Sequence, residues 1–168
     1  MITKNIVLTG FMGCGKTTVG KVLAQKLVKK FIDVDVKIER SAGMSIKDIF
    51  ANFGEEHFRK LESDEIEKIS SQNNCVVATG GGVVLNAKNI CALRKNGIIV
   101  YLKCGMEKIE QNLSDDLSRP LLQSGFDAAY RLYAEREALY ENCDIIIDAG
   151  GGVDEIVEKI LIEVENVS

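Results

Sequence analysis

The chain has one proline in 168 residues, one histidine, and no two cysteines in a C-x-x-C spacing. Each scarcity removes a class of protein. The five cysteines, Cys14, Cys75, Cys91, Cys104 and Cys143, are odd in number and scattered. That pattern fits reduced thiols, not a disulfide framework or a zinc site. Cys75, Cys104 and Cys143 flank apolar runs and read as small packing residues. His57 reads as a surface helix residue. No stretch reaches the roughly 20 apolar residues of a membrane-spanning helix. Positive charge is not in excess: a net charge of −4 argues against an extended nucleic-acid footprint, and Lys29-Lys30 reads as a solvated helix end. There is no internal repeat, linker or low-complexity segment. Met1-Ile2-Thr3-Lys4 leads directly into an apolar run, so no signal or transit peptide is expected. These scarcities predict a single domain over residues 1–168, cytoplasmic and binding neither membrane nor nucleic acid; a monomer is expected, though nothing in the composition sets the oligomeric state.

What the chain does contain is alternation. Asn5–Thr9, Phe31–Asp35, Cys75–Thr79, Ile98–Leu102 and Asp144–Ile147 are short apolar runs that read as strands. Between them apolar residues recur at helical spacing. Helices are expected from about Lys16, from Ile38 onward, over Ser45–Phe50 with Ser45 as N-cap, and from Gly54 with Phe58, Leu61, Ile66 and Ile69 inward. Further helices are expected over Leu85–Arg94, Met106–Leu113 and Phe126–Tyr140. A last one carries Val153, Ile156, Val157, Ile160, Leu161 and Val164. The segment from Ser114 to Pro120 breaks the pattern and reads as a mobile loop. Alternating βα units with near-continuous apolar strands predict an α/β fold, a parallel sheet with helices on both faces. Ligands of such sheets bind beyond the carboxyl ends of the strands. That rule gathers Gly10–Thr17, Asp33, Asp35 and Gly80–Gly82 at one edge.

The most informative stretch is Gly10-Phe11-Met12-Gly13-Cys14-Gly15-Lys16-Thr17, a G-x-x-x-x-G-K-[ST] run between a strand and a helix. Its glycines let backbone N–H groups point inward around phosphates, Lys16 reaches the terminal phosphates, and the Thr17 hydroxyl suits Mg²⁺. The helix that follows adds the positive end of its dipole. A nucleoside triphosphate is the expected ligand. Cys14 lies inside this loop and reads as a small tolerated side chain, with oxidation the alternative. Asp33 and Asp35, two apart in an extended segment, are expected to point the same way. One could orient Mg²⁺ through water while the other accepts a proton from an incoming hydroxyl; the alternative is a pair of exposed acids ending a strand. Gly80-Gly81-Gly82 suits close approach of a ligand, or else a tight helix entry. Arg59 has Glu62 three residues on, on the same helix face. By spacing alone this pair, like Arg136, could be surface decoration. Arg119 on the proline-containing loop could close over a transferring phosphate.

Taken together these segments resemble the shikimate kinases over essentially the whole chain. Gly10–Thr17 is similar to that family's phosphate loop and Phe31–Asp35 to its F-[IL]-D-x-D segment. Gly54-Glu55-x-x-Phe58-Arg59-x-x-Glu62 resembles its G-E-x-x-F-R-x-x-E helix. Thr79–Gly82 is similar to its glycine turn, Arg119-Pro120-Leu121-Leu122 to its lid, and Arg136-x-x-Leu139-Tyr140 to its R-x-x-x-Y segment. The resemblance implies a three-layer P-loop kinase fold with five parallel strands in the order 2-3-1-4-5. It implies a substrate-binding segment at about 34–62 and a lid at about 113–124. The implied reaction is ATP-dependent phosphorylation of the 3-hydroxyl of shikimate, a step toward chorismate. Carried over by position, Gly13, Cys14, Gly15, Lys16, Thr17 and Thr18 would hold ATP, with Arg119 closing on it. Thr17 would bind Mg²⁺, with Asp33 supporting it through water. Asp35 would bind substrate hydroxyls and act as base. Arg59 and Arg136 would clamp the carboxylate, Glu62 would hold Arg59, and the Gly81 N–H would contact the substrate. Lys16, Asp35 and Arg119 are the expected catalytic residues.

Two positions depart from the family pattern. Asn112 stands where an arginine commonly packs on adenine, and Asp148-Ala149-Gly150-Gly151-Gly152 lacks the usual basic or proline residues of the adenine-edge loop. Weaker or less base-selective nucleotide binding is therefore expected. Two rival readings stay open at this point: a related small-molecule kinase of the gluconate type, and a nucleotide-binding module without transfer activity.

Overall fold

A computed structural model describes residues 2–114 and 125–167. Five parallel strands form one sheet: β1 (Asn5–Thr9), β2 (Lys30–Asp33), β3 (Cys75–Ala78), β4 (Gly97–Lys103) and β5 (Ile145–Asp148). Their order is β2-β3-β1-β4-β5, as the resemblance implied. β1, β3 and nearly all of β4 are buried, which is why they read as uninterrupted apolar runs. β5 closes one edge and alternates, with Ile145 and Ile147 inward and Ile146 and Asp148 outward.

Among the described residues seven helices cover the sheet on both sides: α1 (Lys16–Leu27), α2 (Val34–Ala42), α3 (Ile46–Ser70), α4 (Ala87–Arg94), α5 (Met106–Leu113), α6 (Phe126–Tyr140) and α7 (Val153–Val167). α1 packs against α7, while α3 packs against α2 and α4. Register sets where the site lies. Leu8 pairs with Ala78, and Asp33 with the same Ala78. The chain leaves β1, β2 and β3 at one level, so the loops that follow these strands meet at one edge.

Four expectations need correction. The segment Phe31–Asp35 is not extended throughout: β2 ends at Asp33 and α2 begins at Val34. The Asp33 carboxylate caps that helix, accepting from the Val36 N–H at 3.3 Å. The same capping starts α2 four residues before Ile38. The helix expected from Leu85 begins instead at Ala87, after a 3₁₀ turn over Val83–Leu85, because Asn86 accepts from the Lys88 N–H at 3.0 Å. Lys29 is not solvated. It is 9% exposed, and its ammonium donates to the Lys4 carbonyl (3.1 Å) and Asn74 Oδ1 (3.2 Å). Burial lowers its pKa.

The two helices expected on either side of Gly54 abut without a loop. Gly54 alone breaks the helical path of α3, at φ 81° and ψ 175°, a conformation almost confined to glycine. Cys75 and Cys104 are buried, Cys143 is half-buried, and all five thiols are free. His57 is exposed, its ring centroid 5.0 Å from that of Phe53 with the planes tilted by 36°. Ser114 ends the described part of the expected loop and lid; residues 115–124, including Arg119 and Pro120, lie outside the described residues. Among the described residues, no helix is long and apolar enough to cross a membrane.

Candidate active site

The loop after β1 is shaped by positive-φ glycines. Gly15, at φ 88° and ψ 15°, caps α1 and turns the chain directly into it. The first-turn N–H groups of α1, including those of Lys16 and Thr17, have no helical acceptor and face the carboxyl edge of the sheet. Lys16 is folded back onto the loop. Its ammonium donates to the carbonyls of Gly10 (2.7 Å) and Phe11 (2.8 Å) and lies 3.6 Å from Cys14 Sγ. Cys14 is buried, so its thiol fills space inside the loop.

Thr17 donates its hydroxyl to Asp33 Oδ2 at 2.8 Å. The two groups are hard oxygens on adjacent elements. Magnesium is commonly held by one or two such protein oxygens together with phosphates and water, so this donor set fits it without a dedicated cage. The expectation that Asp33 and Asp35 share a direction because both are extended does not hold. They reach the same cavity by different routes: Asp33 from the helix cap and Asp35 from the first turn of α2.

Beyond β3, the three glycines are explained by contact. A Cβ on Gly80 would lie 2.8 Å from Asp35 Oδ1 and 3.1 Å from Glu62 Oε2. One on Gly81 would lie 3.3 Å from the Met12 amide nitrogen, and one on Gly82 would lie 2.6 Å from Arg59 Cζ. The turn is therefore pressed between the phosphate loop on one side and a cluster of acids and arginines on the other. The close neighbours are the chain's own groups, not a ligand, and Gly82 also leads directly into the 3₁₀ turn at Val83, the expected alternative of a tight helix entry.

That cluster is built mainly by α3. Glu62 is 1% exposed and accepts from Arg59 at 2.9 Å; Glu55 holds the same guanidinium from its outer side at 3.2 Å. The guanidinium also lies 5.1 Å from the centroid of the Phe58 ring. Burial pushes the Glu62 carboxyl up, the Arg59 cation opposes this, and Asp35 adds to the rise. Arg136 of α6 is 8% exposed and is close enough to Glu62 to oppose the same shift. Its Nε is buried without a hydrogen-bond partner among the described residues. The expected ion pair of Arg59 and Glu62 is present, and neither it nor Arg136 is surface decoration.

One cavity of about 490 Å³ joins these parts. Gly13, Cys14, Gly15, Lys16, Thr17, Thr18, Asp33, Asp35 and Gly81 all line it, whereas Arg59 and Arg136 are not among its lining residues. The cavity's far end is lined by Asn112, Ala149, Gly151 and Gly152, the positions singled out in the sequence as departing from the family's adenine pattern, and by Lys108 and Val153, which the sequence did not place there. Lys108 sits one helical turn before Asn112, the one signal that could have drawn it in. Asn112 donates its amide to the Gly13 carbonyl at 2.7 Å, and Leu113 packs directly on Gly13. Glu55 was also missed as a partner of Arg59, though the four-residue spacing carried it.

The family model described as shikimate kinase matches residues 12–165. The chain is 50% identical over 161 residues to the shikimate kinase of Caldanaerobacter subterraneus, covering 94% of each chain. The chain belongs to the shikimate kinase family. It is also 44% identical to the shikimate kinase of Sulfurihydrogenibium, over 96% of this chain and 98% of that one. The solved shikimate kinase of Acinetobacter baumannii, in complex with shikimate, superposes with a TM-score of 0.94 at 37% identity, covering 98% of this chain and 94% of that one. A gluconokinase from Sinorhizobium meliloti superposes with a TM-score of 0.62 at 19% identity. That likeness extends to the fold alone, so the gluconate-type alternative is not favoured.

Proposed function

We propose that this chain transfers the γ-phosphate of ATP to the 3-hydroxyl of shikimate, giving shikimate 3-phosphate and ADP. The observation that carries the reading is the cavity running from the phosphate loop to Asp35 and Gly81, with Arg59 held at the glycine turn by the buried Glu62. Kinases of this kind work by positioning and charge neutralisation, with little covalent chemistry for the protein to perform.

In this reading Gly13 to Thr18 wrap the ATP phosphates, and Lys16 exchanges the Gly10 and Phe11 carbonyls for phosphate oxygens. Thr17 holds magnesium, with Asp33 supporting it through water. The metal neutralises charge on the phosphates when bound. Asp35 orients the attacking hydroxyl and accepts its proton. Arg59 and Arg136 bind the substrate carboxylate, and the Gly81 N–H contacts the ring substituents. Glu62 keeps Arg59 in register while remaining out of the cavity. Arg119 lies outside the described residues, and its role in closing on ATP, like the lid at 113–124, rests on the motif alone. Five free cysteines favour a reducing, cytoplasmic setting. Action as a monomer on small molecules, with no nucleic-acid or membrane partner, completes the reading.

Arg136→Ala tests it. Loss of one arm of the carboxylate clamp should raise the KM for shikimate at least 100-fold and leave the KM for ATP within about twofold. Near-normal turnover of shikimate by that variant would sink the residue assignments.

A further inference from the structure

α6 carries a second residue directed at the substrate side. Tyr140 lies one turn after Arg136, is 1% exposed, and donates its hydroxyl to the Gly81 carbonyl. Its ring stacks on Tyr101 of β4 at 5.3 Å with the planes 20° apart, so the hydroxyl is aimed by packing. The Arg136 cation lies close enough to offset part of the rise that burial imposes on the Tyr140 phenol. The glycine turn has backbone bonds of its own, Val83 N–H to Gly80 O at 3.2 Å and Leu85 N–H to Gly82 O at 3.1 Å. Neither restrains the Gly81 carbonyl. Among the described residues the Tyr140 hydroxyl is the one side chain that does. Three consecutive glycines have more rotational freedom than any other tripeptide, so an outside anchor matters there.

The geometry points to Tyr140 as a positioning residue that ties the helix bearing Arg136 to the Gly81 backbone, so that two arms of the substrate site are held at a fixed separation. This rests on the proposed shikimate site. Tyr140 acts through Arg136 and Gly81 and does not touch the reacting atoms.

Tyr140→Phe keeps the stacked ring and removes only the hydroxyl. The expected result is about a tenfold rise in the KM for shikimate, with the KM for ATP within twofold. Tyr133→Phe is the control. It deletes the hydroxyl that faces Tyr101 at 3.3 Å in the same aromatic group but does not reach the glycine turn, and it should leave both KM values unchanged. A Tyr140→Phe enzyme with a lowered melting temperature but an unchanged KM for shikimate overturns the inference, as does an equal rise in both KM values. Should the variant fail to fold, hydrogen exchange on the wild-type protein decides. Adding shikimate should slow exchange in 80–85 and in 133–140 together, and protection of one segment alone overturns the coupling. Wild-type ADP release with shikimate is measured first: its absence refutes the proposed reaction, whereas its presence with a wild-type-like Tyr140→Phe refutes only the tether.

Discussion

Gly82→Ala isolates the Arg59 clamp with a single methyl group. Gly82 has φ −96° and ψ 3°, which alanine adopts without strain. The new Cβ would nevertheless sit 2.6 Å from Arg59 Cζ, far inside contact distance. The turn cannot easily retreat, because its carbonyls are bonded to Val83 and Leu85, so the guanidinium must move off Glu62. Breaking a buried ion pair on one side costs about 3–5 kcal/mol, but the Arg59 side chain is 26% exposed and rehydrates, leaving about 2 kcal/mol. Replacing glycine returns about 0.4–1 kcal/mol from the unfolded chain. The net loss of about 1–2 kcal/mol corresponds to a melting temperature lower by roughly 2–8 °C. Function should suffer more. Losing charge-assisted hydrogen bonds to a carboxylate costs about 1.5–3 kcal/mol, a rise of roughly 10- to 150-fold in the KM for shikimate. Coupled ADP release, with each substrate varied in turn, reads both KM values. The reasoning is refuted if the KM for shikimate stays within twofold of wild type. It is equally refuted if Gly82→Ala still raises that KM in an Arg59→Ala background, where the methyl group has nothing left to displace.

Two further outcomes follow from the same cluster and from the far end of the cavity. Burial raises the folded pKa of Glu62 above its ordinary 4.5, despite Arg59. Its titration therefore contributes stability that is fully present below the unfolded value and lost as pH rises through the folded one. Glu62→Gln cannot titrate, so the wild-type melting temperature relative to that of the variant should fall as pH rises above 4.5; a difference that stays flat or grows contradicts the burial argument. Asn112→Ala removes the bond to the Gly13 carbonyl and should raise the KM for ATP roughly three- to tenfold without touching that for shikimate. An unchanged KM for ATP would mean that Asn112 does not brace the phosphate loop.

The sheet was legible because its central strands are buried on both faces and so appear as unbroken apolar runs. The phosphate loop was legible because its chemistry requires fixed spacing. Where the sequence misled, a local polar contact outweighed the apolar pattern. Asp33 and Asp35 looked like two acids in one extended segment, but the Asp33 carboxylate caps α2 and puts Asp35 in a helix, and Asn86 similarly delayed α4. Lys29 looked solvated because nothing in its neighbours announces that Lys4 and Asn74, distant in sequence, supply acceptors for its ammonium. Arg59 and Glu62 were readable as an i,i+3 pair, but not as a buried one. Burial there depends on Gly82 and Arg136, which only the folded chain brings to α3. Tyr140 stood in a recognised motif without a role, since its partner is the backbone of a glycine 59 residues away.

The most direct measurement is ADP release by the purified protein with Mg-ATP and shikimate, run beside quinate and gluconate. The account predicts sustained ADP release that depends on shikimate, with the other two acceptors near the acceptor-free background. Release that is indifferent to the acceptor, or as fast with gluconate, would contradict the assignment of the Asp35, Arg59, Gly81 and Arg136 side of the cavity.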